Sequence, residues 1–368
     1  MLTAFTNGTI FTGAQVVTGK TLLIAQGRVH SLVDPADVPA DVETKDCTDL
    51  LIAPGLIDLQ IYGGGGYLFS NKPSAAALAA MTTALIKSGT TGFLLTLATN
   101  SMEIFMEAIQ VARENPHPAL LGLHLEGPYI NPEKKGAHIP AYIKRPKREE
   151  VEALLAAANG VVKMMTVAPE MCDPVIIRLL QERGVVVSAG HSNATFEQAA
   201  AGFMNGIRTV THLFNAMSPV HHRDTGLPGA TFRAASVYAS IIADGIHVDD
   251  NTLMISKKLL GERLFLITDA VETNTSGAYI HVAQKDRFTL PDGTLSGSRL
   301  TLLRAVQRCV EHANIPLDEA LRMATAYPAN LMGMKDRGKI EPGCRGDLVI
   351  FNRNFEINGV YMDGVHMS

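Results

Sequence analysis

The sequence predicts a (β/α)8 barrel of the TIM type with a small β-sandwich domain built from both chain termini, and three observations support this fold class. The 368-residue chain alternates strand-like apolar runs with helix-period segments between about residues 51 and 335. Both ends of the chain hold short β-rich pieces separated by Gly and Asn turns. Four of the apolar runs carry a Glu, His or Asp near their C-terminal end, where barrel enzymes keep their chemistry.

Eight runs have the length and composition of buried parallel strands: 51–62, 89–98, 119–127, 161–168, 185–191, 208–214, 239–247 and 263–269. The segments 74–87, 101–113 and 173–183 carry apolar residues at three- and four-residue steps, as crossover helices on a parallel sheet do. Thr195 and Gln198 form a capping-box pattern, so we expect a helix to begin after His191 and to leave that imidazole on a loop.

The two chain ends, residues 1–51 and 337–368, show strand patterns without a helix period. Neither piece is long enough to bury a core alone, so we expect them to pair into one β-sandwich domain that brings the termini together. The barrel is then assigned to residues 52–336.

Composition excludes several classes of protein. With 46% hydrophobic and 18% charged residues and a net charge of -4, the chain is typical of a well-buried enzyme, and no basic run is long enough to favour nucleic acid. We find no charged leader followed by an apolar core and no membrane-length apolar run, so we expect a soluble, cytoplasmic protein that does not bind membranes. Four widely spaced cysteines without a CxxC pattern predict free thiols.

The polar residues at the strand ends point to metal chemistry. Glu126 ends LLGLHLE, His191 follows VVVSAG, and His212 lies in TVTHLFNAM. One carboxylate and two imidazoles fill the three protein positions of a catalytic zinc-type site, which keeps a fourth position open for water. Asp269 ends the apolar run LFLITD and is placed to act as a general acid/base. The sequence therefore predicts a metal-dependent hydrolase.

A series of motifs makes the interpretation more specific. HLEGPY, SAGHSNA, THLFNAM, ADGIHV and LITDA follow one another across essentially the whole chain, with LSGS and RMATAYPA after them. In this order they resemble the N-acetylglucosamine-6-phosphate deacetylase family of the amidohydrolase superfamily. The resemblance implies removal of acetate from N-acetyl-D-glucosamine 6-phosphate to give D-glucosamine 6-phosphate, in amino-sugar catabolism. It also implies a homodimer.

The same resemblance assigns roles to residues. It makes Glu126, His191 and His212 the metal ligands, Asp269 the acid/base, and His138 of KKGAHIP the residue that helps to polarise the acetyl carbonyl. Two of the phosphate contacts, an arginine and a histidine, are expected to come from the neighbouring subunit, and the Leu-Ser-Gly segment is expected to close over the sugar. The implied substrate-binding residues are Ala137, His138, Asn215, Ala216, Arg223, His247, Leu295, Ser296 and Gly297.

One departure concerns the number of metal ions. Many amidohydrolases carry H-x-H at the end of the first strand to bind a second metal, whereas this chain has Gln60 and Tyr62 at those positions. Gln is a poor zinc ligand and Tyr an unlikely one, so we expect one divalent ion per subunit. Zn is the first expectation, and Fe, Co or Mn also suit this ligand set. Members with a single metal usually have Asn where this chain has Tyr62.

Two alternatives remain at this point. Another amidohydrolase, such as a cyclic amidase or a nucleobase deaminase, would share the barrel and the metal but generally needs the missing H-x-H and lacks a phosphate-binding arginine. A non-catalytic barrel that serves as a binding scaffold would have no need of Asp269 or of a full ligand set.

Overall fold

Eight parallel strands form the predicted barrel in a computed structural model, which describes residues 2–367. Strands that are neighbours in sequence are neighbours in the sheet throughout. The eighth strand closes on the first through a parallel bridge between Ile61 and Ala270, and the Asp269 amide donates to the Gln60 carbonyl at 3.0 Å. In chain order the barrel strands are Leu56–Ile61, Thr90–Ala98, Leu120–Glu126, Val162–Val167, Val186–Ala189, Thr209–Val210, Tyr238–Ile242 and Leu264–Ile267.

Helices follow the strands, as predicted. The capping box is present: Thr195 Oγ1 accepts from the Gln198 amide, the Gln198 side chain accepts from the Thr195 amide, and the helix begins at Phe196. The α-helices are Ala75–Lys87, Met102–Glu114, Arg148–Ala158, Pro174–Glu182, Phe196–Met204, Gly226–Arg233, Asp250–Leu260, Leu302–Ala313, Leu317–Ala324 and Ala326–Leu331. Short 3-10 turns lie at Pro35–Asp37, Pro132–Lys134, Pro140–Tyr142, Pro169–Met171 and Gly261–Arg263.

Both chain ends contribute to the predicted β-sandwich. Leu348–Phe351 pairs antiparallel with Leu51–Pro54, so the C-terminal segment completes a sheet begun by the N-terminal one. Phe5 and Leu22 of one sheet pack against Ile52 of the other in a shared core. The four-stranded sheet contains Leu2–Thr6, Thr21–Ala25, Arg28–Val33 and Glu43–Asp46; the six-stranded sheet contains Thr9–Phe11, Val16–Val17, Leu51–Pro54, Leu348–Phe351, Ile357–Met362 and Val365–His366.

Two small sheets extend from the barrel strands. Gly63–Gly64 pairs with Tyr67–Leu68 after the first strand. After the eighth strand, Val282–Ala283, Arg287–Thr289 and Leu295–Ser298 form an antiparallel three-stranded sheet.

The chain divides into two compact units. One comprises Met1–Asp58, Ala84–Gly92 and Thr301–Ser368, and the other comprises Leu59–Thr83 and Phe93–Leu300. Every candidate site residue lies in the second unit. The four cysteines are buried free thiols. Among residues 2–367 we find no helix with the length and apolar character needed to cross a membrane.

Candidate metal centre and active site

The barrel brings the four strand-end residues to one edge of the sheet. Glu126 is the last residue of the third strand. His191, His212 and Asp269 each follow the end of a strand by two residues, after Ala189, Val210 and Ile267 respectively. Because all eight strands are parallel, these positions share the carboxyl edge of the barrel.

Three potential ligand atoms converge on one point. Oε1 of Glu126 lies 3.0 Å from Nε2 of His212 and 3.3 Å from Nε2 of His191, and the two imidazole nitrogens are 3.1 Å apart. Donors bound tetrahedrally to one zinc ion at about 2.0–2.1 Å lie about 3.3 Å from each other. All three side chains are buried. The donor set therefore fits one divalent metal ion.

A backbone contact determines which ring nitrogen of His191 carries a hydrogen. Its Nδ1 lies 2.8 Å from the Lys134 carbonyl oxygen, which can only accept, so Nδ1 carries the hydrogen and Nε2 presents its lone pair to the metal position. The loop approaches this closely because Gly136, with φ +53°, has no Cβ; a Cβ there would lie 3.2 Å from His191 Cε1.

His138 is held as a neutral hydrogen-bond donor. The Thr99 amide donates to His138 Nδ1 at 3.2 Å, so the ring hydrogen must be on Nε2, which lies 2.9 Å from Glu126 Oε2. Burial lowers the pKa of His138 to about 4. The Nε2–H group therefore points into the site at neutral pH.

Charge in the site is concentrated on the carboxylates. Burial alone would raise the pKa of Glu126, but the imidazoles of His191 and His138 outweigh it and hold that pKa well below its ordinary value. Burial also lowers the pKa of His212. Burial, reinforced by the neighbouring carboxylates, raises the pKa of Tyr62 far above its ordinary value, so the phenol is a neutral donor.

The candidate metal ligands lie on the wall of a cavity of about 360 Å³. Arg223 does not line it: this residue lies on an exposed loop with Nη1 3.1 Å from His222 Nε2. His247 lines the cavity of its own chain, which differs from the expectation that a neighbouring subunit supplies it. The other implied substrate-binding residues that line the cavity are Ala137, His138, Asn215, Ala216, Leu295, Ser296 and Gly297.

Several residues of the site had no role in the sequence analysis. Asp244 accepts a 2.6 Å hydrogen bond from His247 Nδ1. Its position in the ADGIHV motif, three residues before His247, could have identified it as a candidate site residue. His281 lines the cavity 2.9 Å from Ser296 Oγ, yet it follows no barrel strand. Gln60, interpreted only as a missing metal ligand, donates to Asp269 Oδ1 at 2.8 Å.

Comparison with known proteins decides the family. The amidohydrolase family model matches residues 51–367, and the model of the NagA composite domain matches residues 3–48. The chain belongs to the amidohydrolase family. It is 34% identical to the N-acetylglucosamine-6-phosphate deacetylase of Haemophilus influenzae over an alignment that covers 98% of each chain.

Solved structures of similar proteins share the whole architecture. The N-acetylglucosamine-6-phosphate deacetylase from Pasteurella multocida superposes with a TM-score of 0.96 at 34% identity, over 100% of this chain and 99% of that one. A variant of the enzyme from Mycobacterium smegmatis, solved in complex with N-acetyl-D-glucosamine-6-phosphate, superposes with a TM-score of 0.92 at 29% identity over 100% and 99% of the two chains.

Proposed function

We propose that this amidohydrolase removes acetate from N-acetyl-D-glucosamine 6-phosphate and releases D-glucosamine 6-phosphate, as a step of amino-sugar catabolism. The observation that carries the proposal is the convergence of Glu126, His191 and His212 beside Asp269 in one cavity. Gln60 Nε2 donates to Asp269 Oδ1 at 2.8 Å and lies 3.1 Å from Glu126 Oε1, so Asp269 is close to the candidate ligands, which supports its proposed role as the acid/base.

Glu126, His191 and His212 would hold one divalent ion per subunit. A carboxylate with two imidazoles suits Zn best, and Fe, Co or Mn also accept this set. When bound, the metal supplies Lewis acidity for the acetyl carbonyl and lowers the pKa of water from about 15.7 toward 7.

The side chains around the metal position divide the proton transfers between them. Asp269 accepts a proton from the attacking water as the new C–O bond forms, and it then donates that proton to the amine nitrogen as the C–N bond breaks. His138 donates through Nε2–H to the carbonyl oxygen, where negative charge develops. The products are acetate and the free amine.

Asn215, Ala216 and His247 of one chain line the cavity, and we assign the binding of the phosphate to them. Arg223 lies on an exposed loop, and in the proposed homodimer it would contact the phosphate bound by the neighbouring subunit; a guanidinium suits a phosphate because it donates two parallel hydrogen bonds. The protein then acts as a homodimer.

The remaining sequence predictions complete the proposal. The protein works in the cytoplasm. The catalytic barrel domain is assigned to residues 52–336 and the accompanying sandwich domain to residues 1–51 and 337–368, except that the whole strand Leu51–Pro54 belongs to the sandwich. Leu295, Ser296 and Gly297 close over the sugar ring from the three-stranded sheet.

The decisive experiment measures acetate release from N-acetylglucosamine 6-phosphate by purified protein, before and after chelation, with metal content measured on the same sample. We expect activity to fall with metal content and to return when Zn²⁺ is restored. Asp269→Asn is the matched variant: it should keep the metal and lose turnover. Equal activity of Asp269→Asn and wild type, or activity on cyclic amides or nucleobases instead, would overturn the proposal.

A further inference from the structure

We propose that Tyr62 is a positioning residue for the metal ligand Glu126. Its phenol hydroxyl holds Oε2 of the carboxylate and thereby directs Oε1 toward the two imidazoles, which sets the affinity of the site for its single divalent ion. This inference rests on the proposed metal site and adds a residue that the sequence analysis treated only as a lost ligand.

The two oxygens of Glu126 have different partners. Oε2 accepts a hydrogen bond from the Tyr62 hydroxyl and lies 2.9 Å from Nε2 of His138. Oε1 faces Nε2 of His212 at 3.0 Å and Nε2 of His191 at 3.3 Å. Gln60 Nε2 also lies 3.1 Å from Oε1, but its two hydrogens serve the shorter 2.8 Å contacts with Tyr62 and Asp269. The carboxylate is therefore oriented so that Oε1 faces the two imidazoles and Oε2 is held by hydrogen-bond donors.

The direction of each hydrogen bond follows from chemistry. An ionised carboxylate only accepts, so Tyr62 must donate to Glu126. The phenol oxygen in turn accepts from Gln60 Nε2 at 2.8 Å, and the same amide reaches Asp269 Oδ1 at 2.8 Å. Gln60 in the first strand and Tyr62 just after it thus donate hydrogen bonds to the two carboxylates of the site. In amidohydrolases with a second metal ion, that ion would supply positive charge there instead.

The hydrogen bond from Tyr62 to Glu126 becomes more important during catalysis. The single Nε2–H of His138 cannot serve both Glu126 and the developing oxyanion of the substrate. When His138 turns to the substrate, Tyr62 is the donor that remains on Oε2. Outer hydrogen-bond partners of metal ligands typically change metal affinity by about 10–100-fold.

The test compares variants that lack the hydroxyl. Tyr62→Phe removes one oxygen atom and keeps the ring packed against Leu68, Ala98 and its other apolar neighbours. Tyr62→Met removes both the hydroxyl and the ring. The matched control is Tyr129→Phe, which also removes a buried phenol bonded to a carboxylate, since Tyr129 donates to Glu150 at 2.8 Å.

Each protein is stripped of metal, shown to be folded by circular dichroism, and titrated with Zn²⁺ against a chromophoric chelator; the Co²⁺ form is examined by visible absorption. We expect both Tyr62 variants to bind Zn²⁺ about 10–100-fold more weakly than wild type, by the same factor, with altered Co²⁺ bands. Tyr129→Phe should match wild type.

Three outcomes would count against the inference or its basis. Unchanged Zn²⁺ affinity and Co²⁺ spectrum in Tyr62→Phe would overturn the positioning role. A loss in Tyr62→Met that Tyr62→Phe does not share would assign the effect to packing and overturn it as well. Wild-type protein that binds no Zn²⁺ at all would remove the proposed function itself.

Discussion

Replacing Asp244 by Asn should weaken recognition of the substrate's phosphate and leave the chemistry at the metal intact. Asp244 Oδ2 lies 2.6 Å from His247 Nδ1, and both side chains are 6% exposed. Burial would raise the pKa of Asp244, but the hydrogen bonds from His247 and from backbone amides hold it below its ordinary value. By accepting from Nδ1, the Asp244 carboxylate orients the His247 imidazole, so that Nε2 is the ring nitrogen that can meet the phosphate of the proposed substrate.

The expected loss of affinity can be estimated from the hydrogen bond between His247 and Asp244 that the substitution removes. A hydrogen bond to a charged group contributes about 1.5–3 kcal/mol, which corresponds to about 10–100-fold in binding. The loop itself should survive, because the other oxygen of Asp244 accepts from the amides of Ile246 and His247 at 2.9 and 2.8 Å, and an Asn carbonyl can accept both bonds.

The assay is acetate release from N-acetylglucosamine 6-phosphate and from unphosphorylated N-acetylglucosamine. Asp244→Asn should lower kcat/KM about 10–100-fold for the phosphorylated sugar, chiefly through KM, and should change kcat/KM for the unphosphorylated sugar little. Inorganic phosphate should inhibit the variant more weakly than wild type. Asp249→Asn, at an exposed helix N-cap, is the matched control. Equal losses with both sugars would show that Asp244 serves the chemistry or the fold and not the phosphate.

Three further outcomes are expected. Asp269→Asn should lower kcat by about 10²–10⁴-fold at unchanged metal content, measured by steady-state kinetics and elemental analysis. Arg223→Ala should raise KM for the phosphorylated sugar, and mixing it with Asp269→Asn chains should restore activity if the arginine acts across a subunit boundary; no recovery after verified subunit exchange would contradict this. Burial lowers the pKa of His281 to about 4, so the folded state resists protonation while the unfolded chain accepts it below about pH 6.5. Stability should therefore fall between pH 6.5 and 4 by as much as about 3 kcal/mol, and His281→Gln should reduce that fall in denaturant titrations at each pH.

The barrel and the group of candidate metal ligands could be predicted because both depend on local patterns. A parallel strand buried on both faces is a continuous apolar run, and the polar residue that ends such a run must lie at the carboxyl edge of the sheet. For that reason Glu126, His191, His212 and Asp269 could be assigned to one site without knowledge of the helix packing between them.

The hydrogen-bond partners of these residues could not be predicted in the same way. Gln60 and Asp269 are 209 residues apart and meet only because the eighth strand closes on the first. His281 lines the cavity from the residue just before the strand Val282–Ala283, so no barrel-strand end marks it. The sequence analysis interpreted Tyr62 only as a missing metal ligand. A single sequence shows that a histidine is absent from this position, but it does not show which groups the tyrosine contacts.

The backbone adds a constraint that no residue pattern shows. His191, His212 and Asp269 have φ values of 47°, 34° and 53°, in the left-handed region that side chains with a Cβ seldom adopt. Such a conformation costs of order 1–3 kcal/mol per residue and persists only where surrounding contacts fix it. Here the His191 carbonyl accepts from Asn131, and the Asp269 amide and carbonyl are bonded to Gln60 and Ser298. Because three of the four strand-end residues leave their strands in this strained way, the loops aim their side chains at one point.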